Sequence, residues 1–186
     1  VRRGQTLFTD RRNPRICFAS PASGTVAAIH RGEKRRFQSL VVQLQGNDEQ
    51  RFASYDDVDL RRLDRETVCE QLLASGLWTG LRSRPYSRTP DPATTPQALF
   101  VTAIDSNPLA ARPEVVLAES RNEFIWGLQV IRHLTPGKLF LCQAAGSDIP
   151  GGDLDFVSVE RFSGPHPAGL PGTHIHFLCP VGLKRT

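Results

Sequence analysis

Two stretches, Ala98-Leu-Phe-Val-Thr-Ala-Ile104 and Lys138-Leu-Phe-Leu-Cys-Gln-Ala144, decide the reading of this chain. Each is a nearly unbroken apolar run, without the polar alternation of a strand that faces water on one side. Such runs are what a parallel strand buried on both faces requires. Between them Phe124, Leu128 and Ile131 recur at helical spacing, so a long helix is expected over residues 114–134. Strand, helix and strand make a βαβ unit, for which a right-handed crossover is the rule. Val157-Ser-Val-Glu-Arg-Phe162 reads as a third strand. The expectation for residues 97–186 is therefore an α/β domain.

Upstream the pattern differs. Arg15-Ile-Cys-Phe-Ala19, Gly24-Thr-Val-Ala-Ala-Ile29 and Leu40-Val-Val-Gln-Leu44 are short β-rich runs separated by Pro, Ser and Gly turns. Residues 1–46 should form part of a small β sandwich or barrel. Residues 47–96 read as a connector. It holds a polar turn at Gln45-Gly-Asn-Asp-Glu-Gln50 and a helix from Arg65 to about Ser75. Asp64 is placed to cap that helix, Val68, Leu72 and Leu73 form its stripe, and Gly76 ends it. The Arg82-Ser-Arg-Pro-Tyr-Ser-Arg-Thr-Pro-Asp-Pro92 stretch that follows is loop, because its prolines forbid helix and central strand.

Composition limits the function. The longest apolar runs, Leu40–Leu44 and Leu99–Ile104, are far short of a bilayer span, and no signal-peptide core follows Val1. Any work at a membrane would then pass through other proteins. Cys17, Cys69, Cys142 and Cys179 are too scattered for a zinc knuckle, a redox pair or a disulfide framework, which suggests buried thiols in a reducing compartment. Net charge is +4, with nine basic and four acidic side chains in residues 1–50. No aromatic residues interleave with those cations as a stacking platform would need, so a solvated or protein-docking face is expected rather than nucleic-acid binding. The chain contains no methionine and stops at Lys184-Arg185-Thr186 without a domain-ending signal. An excised piece of a longer protein is expected.

Several strings carry a family resemblance. Arg3-Gly-Gln-Thr-Leu7 followed by Ser20-Pro-Ala-Ser-Gly-Thr-Val26 resembles the biotinyl/lipoyl-type barrel, or barrel-sandwich hybrid. Lys34, the lone lysine of that segment, lacks the sequence context of a carrier lysine, so the module reads as structural. Arg31-Gly-Glu-Lys-Arg35, Ser75-Gly-Leu-Trp-Thr79, Phe100-Val-Thr-Ala-Ile-Asp-Ser-Asn-Pro-Leu-Ala-Ala111 and Gly164-Pro-His-Pro-Ala-Gly-Leu-Pro-Gly-Thr-His-Ile-His-Phe-Leu178 follow in order. Together they resemble the A subunits of the sodium-translocating NADH:quinone oxidoreductases over essentially the whole chain.

What the resemblance implies is a partial barrel followed by a Rossmann-like α/β domain. It further implies a peripheral subunit on the cytoplasmic side of the bacterial inner membrane, with ubiquinone as substrate and the other subunits of the complex as partners. Flavins and the iron–sulfur centre are expected in those other subunits. The α/β half is also similar to the flavin-carrying, NADH-oxidising subunit of respiratory complex I. That family cradles its flavin phosphate in a glycine-rich loop, where this chain has Gly80-Leu-Arg-Ser-Arg-Pro-Tyr-Ser-Arg88. Backbone amides approach a phosphate closely only where side chains are absent. The expectation is a subunit without a flavin of its own, and no cofactor is assigned to it.

Candidate site residues follow from these readings. Trp78 and Tyr86, with Phe100 behind them, are candidates for the vicinity of a quinone, with packing as the simpler role. Arg82 and Arg84, with Arg88, are candidates for an anion contact, against the simpler reading of an exposed loop. Asp105-Ser-Asn107 follows the first parallel strand, where open α/β sheets bind ligands, yet the same residues suit a helix-entry turn. A His-x-His pair converges on a strand, as metal sites use, and diverges on a helix; with no carboxylate or cysteine in a ligand pattern nearby apart from Cys179, His166, His174 and His176 read as structural histidines rather than metal ligands. No nucleophile with a partner base is found, so no catalytic residue is assigned. Two further classes stay open: a nucleotide- or flavin-binding oxidoreductase subunit, and a ligand-free assembly scaffold.

Overall fold

The computed structural model describes residues 1–182; Lys184-Arg185-Thr186 lies outside the described residues. The chain divides into two compact units. The first holds residues 1–54, 69–82 and 89–91, and the second holds residues 55–68, 83–88 and the described residues from 92 onward.

In the first unit, β1 (Thr6–Thr9) pairs antiparallel with β2 (Cys17–Ala19), and β3 (Gly24–Arg31) pairs antiparallel with β4 (Phe37–Leu44). These are two separate two-stranded sheets, and no barrel closes among the described residues. Ile16, Cys17, Cys69, Leu73 and Trp78 are buried. The Cys17 thiol donates to the Leu73 carbonyl at 2.8 Å. Gly76 adopts φ +78°, and a Cβ there would lie 3.0 Å from the Ala19 Cβ, so glycine both ends the helix and lets the turn approach β2.

Two helices occupy the connector, α1 (Asp57–Leu60) and α2 (Arg65–Ala74). The α2 cap is the expected one, with Asp64 Oδ1 accepting from Thr67 N–H at 2.7 Å. This hydrogen bond is the main reason the Asp64 carboxyl sits below its ordinary range. Val68, Cys69 and Leu73 are buried, while Leu72 is half-buried. The proline-rich segment that follows is irregular, as its composition requires.

The second unit is built on β5 (Ala98–Ala103), β6 (Lys138–Ala144) and β7 (Val157–Phe162). They form a parallel sheet in the order β5-β6-β7, with Ala103 opposite Gln143 and Gln143 opposite Arg161. The two runs that opened the sequence reading are its first two strands. β6 is the middle strand, and Leu139, Leu141 and Cys142 are fully buried in it. One face of the sheet carries Ala103 and Leu141, which pack with Ile149, Leu117, Phe124 and Val157. The opposite face carries the stacked Phe100–Phe140 pair at 4.8 Å and Phe162, whose ring lies 4.1 Å from the His174 imidazole. His174 belongs to α5 (Pro171–Leu178).

The single long helix expected over residues 114–134 is corrected. The structure has α3 (Pro113–Val116) and, after a break, α4 (Arg121–Arg132). Tight turns close between, with Ala118 N–H donating to Val115 O and Ser120 N–H to Leu117 O. The helix restarts where Phe124 N–H reaches Ser120 O. Ser120-Arg-Asn-Glu123 has the composition of a helix start, and all three residues of the apolar stripe fall within α4.

His174 is completely buried, its Nε2–H donates to Ala168 O at 2.9 Å, and its Nδ1 has no partner. Burial lowers its pKa from 6.5, partly offset by the Ala168 bond. With the folded value lowered, the unfolded chain takes up the proton first. The stability His174 contributes is therefore present above pH 6.5 and is lost as pH falls through the folded value. Urea unfolding should show this loss on acidification, and the loss should be smaller in His174→Gln.

Candidate functional site

Ligands in open α/β sheets bind beyond the carboxyl ends of the strands, so the site is sought at that edge of β5-β6-β7. At the end of β5, Asp105 Oδ1 accepts from the Asn107 backbone N–H at 2.8 Å and from its side-chain amide at 2.7 Å. This is an Asx turn, and no helix starts here; the next one begins at Pro113. The helix-entry reading of Asp105–Asn107 is therefore corrected. Pro108 and then Leu109, which adopts φ +62°, carry the chain away from a helical path.

Ser106 joins this turn to the Gly164–Leu178 string. Gly169 N–H donates to Ser106 Oγ at 2.9 Å, which leaves the hydroxyl placed to donate to His166 Nδ1 at 3.2 Å. A Cβ at Gly169 would stand 2.4 Å from Ser106 N, so this contact between loops requires glycine. His174 and His176 lie on α5 and diverge, one buried and the other exposed. Among the described residues no group of three His, Cys, Asp or Glu side chains could hold a metal. The Cys142 thiol, on β6, is pushed up to about 12 by burial and then by Glu160, so it stays protonated and unreactive.

Beside this edge lies a cavity of ≈860 Å³. Gln143 and Arg161 line it from the sheet, Arg121, Asn122 and Glu123 from the first turn of α4, and Ser147 to Asp153 from the β6–β7 connection. Arg121 pairs with Asp148 at 3.2 Å. Ser147 donates to Glu114, and this bond is the main cause of the lowered Glu114 pKa. The walls are mostly polar and carry both signs of charge. Sequence reasoning missed this cleft, because Gln143 reads as one residue of a buried strand and Arg161 as an ordinary strand cation.

The residues singled out for a quinone or an anion fall as follows. Trp78 is 3% exposed, and its indole N–H donates to Pro90 O at 2.9 Å within the first unit. Arg82 is in the same unit, with its guanidinium turned onto the Thr79 and Leu81 carbonyls. Tyr86, Arg84 and Phe100 belong to the second unit. Tyr86 is 78% exposed with the Arg88 guanidinium 5.5 Å from its ring centre, and Arg84 is half-buried. Phe100 is half-buried against Phe140. A bridge between Ser83 and Arg88 closes the loop that carries Tyr86.

Together these features define a two-module chain. A β module built on the Ser20-Pro-Ala-Ser-Gly24 turn is followed by a parallel α/β domain with a polar cleft at its carboxyl edge. Comparison with known proteins narrows this class. The NqrA N-terminal barrel-sandwich hybrid domain matches residues 1–45, and the NqrA second alpha/beta domain matches residues 63–186. The chain belongs to the NqrA family. Over its full length it is 53% identical to the A subunit of the Na(+)-translocating NADH-quinone reductase of Klebsiella pneumoniae. It is 52% identical to that of Marinomonas sp. and 53% identical to that of Pseudomonas aeruginosa. It spans 41% of the length of each of these relatives. Among the described residues no helix is long and apolar enough to cross a membrane.

Trp78→Phe should preserve the packing but leave Pro90 O without its donor. A loss of about 1–2 kcal/mol in unfolding free energy is expected, measured by urea denaturation.

Proposed function

We propose that this chain forms part of a peripheral subunit of a sodium-pumping NADH:ubiquinone reductase. The subunit is held at the cytoplasmic face of the bacterial inner membrane by the other subunits of the complex. Within it, this part contributes to quinone binding and to assembly and performs no catalytic step of its own. The observation that supports the reading is the match to NqrA relatives along the whole chain, with both modules in the same order. Ubiquinone is then the substrate of the complex, and its flavins and iron–sulfur centre are carried by partner subunits.

The flavin-free reading rests on chemistry. Residues 80–88 present arginine, proline and tyrosine side chains where a phosphate cradle would need bare amides. For the quinone, Trp78, Tyr86 and Phe100 remain the proposed vicinity. Tyr86 is the one whose ring is open to a ligand, since Trp78 is buried and Phe100 is half-buried. Arg82 and Arg84 remain the proposed anion contacts.

A short-chain ubiquinone titrated into the intact complex, followed by tryptophan fluorescence in an otherwise Trp-free subunit, tests this. Saturable quenching is expected from Trp78 when Trp126 is replaced by Phe, and weaker binding when Tyr86 is replaced by Ala. Absence of saturable quenching, or its survival only through Trp126, would remove the quinone assignment from these residues. A flavin absorbance band on the purified full-length subunit would overturn the flavin-free reading.

A further inference from the structure

The two edges of the parallel sheet are built differently. In the order β5-β6-β7 both β5 and β7 are edge strands. β7, Val157-Ser-Val-Glu-Arg-Phe162, carries polar and charged residues among its apolar ones, which is how an edge strand resists further pairing. β5, Ala98-Leu-Phe-Val-Thr-Ala103, has no charge, no proline and no bulge. Its composition is that of an interior strand. Yet Leu99, Phe100 and Val101 stay half-exposed, whereas their β6 partners Leu139, Phe140 and Leu141 are buried. Among the described residues no strand pairs with the side of β5 that faces away from β6. A long apolar edge left open in this way is a template for another strand.

Topology indicates where that strand comes from. α4 joins β5 to β6, and Ile149 of the β6–β7 connection packs on the same face of the sheet as Phe124 of α4. Parallel crossovers are right-handed, so two on one face carry the chain in one direction, from β5 through β6 to β7. α5 follows β7 on the other face, where His174 meets Phe162 and the helix comes close to β5. A right-handed crossover on that face runs the opposite way, back over the sheet to the far side of β5. The chain spans 41% of the length of the relatives it matches, so they have ample length outside it for such a strand.

We infer that the free edge of β5 is the seat of a fourth parallel strand, supplied by the stretch of the full-length subunit that follows α5. The sheet then runs β7-β6-β5-fourth strand, and its strand order reverses beside β5. Open α/β sheets place their ligand crevice at such a reversal, which here falls at Asp105–Asn107. This inference stands apart from the quinone reading, and either can fail without the other.

Amide hydrogen exchange of the unmodified full-length subunit, read at residue resolution, tests it. Every amide of residues 98–103 should exchange as slowly as those of residues 138–144, because both sides of β5 are then paired. A photoreactive p-azidophenylalanine in place of Phe100 identifies the neighbour, with the cross-linked peptides mapped by mass spectrometry. The expected product joins β5, within one subunit, to a segment beyond residue 186. Rapid exchange at alternate residues of β5 would overturn the proposal. So would a cross-link to a second copy or to another subunit, or the absence of any cross-link beyond residue 186.

Discussion

The burial of β6 on both faces and along both edges is the constraint on which the second unit depends. Leu139, Leu141 and Cys142 have no exposure, and their backbone groups pair with β5 on one side and β7 on the other. A strand so placed must be apolar at every position, not at alternate ones, and each face of its sheet must be covered. Leu117, Phe124 and Ile149 cover one face, and α5 brings His174 onto the other. Polar groups stand only toward the ends of the strand, at the exposed Lys138 and at Gln143, where the cover gives way to the cleft.

That edge also shows why the Gly164–Leu178 string is so specific. Gly169 must approach the Asp105–Ser106 peptide more closely than any side chain permits, and Ser106 bonds both the Gly169 amide and His166. His174 is fixed by Ala168 in the same string. The histidines therefore hold a loop against the end of β5 rather than gather around a metal. His166 meets Ser106, 60 positions away in sequence, whereas the Ala168 partner of His174 lies only 6 positions away.

Features that depend on local chemistry were legible in the sequence. The apolar runs of β5 and β6, the Asp64 cap and the Gly76 stop each follow from residues within one or two turns. The break between α3 and α4 was not read, because Leu117-Ala-Glu119 is compatible with helix and only Ser120-Arg-Asn-Glu123 marks a new start. The candidate site was less legible still. Trp78 and Tyr86 are close in sequence, yet they belong to different compact units, and Trp78 spends its polar atom on Pro90. Gln143, Arg161 and the first turn of α4 come from three separate segments, and no spacing rule links them.

The Pro150-Gly-Gly152 loop shows how a motif reading could misplace the chemistry of this cleft. Consecutive glycines after a parallel strand suggest a phosphate loop, but here their bareness serves the core. A Cβ at Gly151, whose φ is +90°, would lie 2.4 Å from Leu128 Cδ1, and one at Gly152 would lie 3.1 Å from Val159 Cγ2. Gly151 is demanded by its positive φ, and both glycines lie close against the apolar layer beneath them. The polar groups of the cleft come instead from side chains and from the uncapped start of α4. Because α4 restarts at Ser120, its free amides stand at the mouth of the cleft, whereas one continuous helix would have bonded them to the preceding turn. The break in the helix and the donors in the cleft are thus one structural fact.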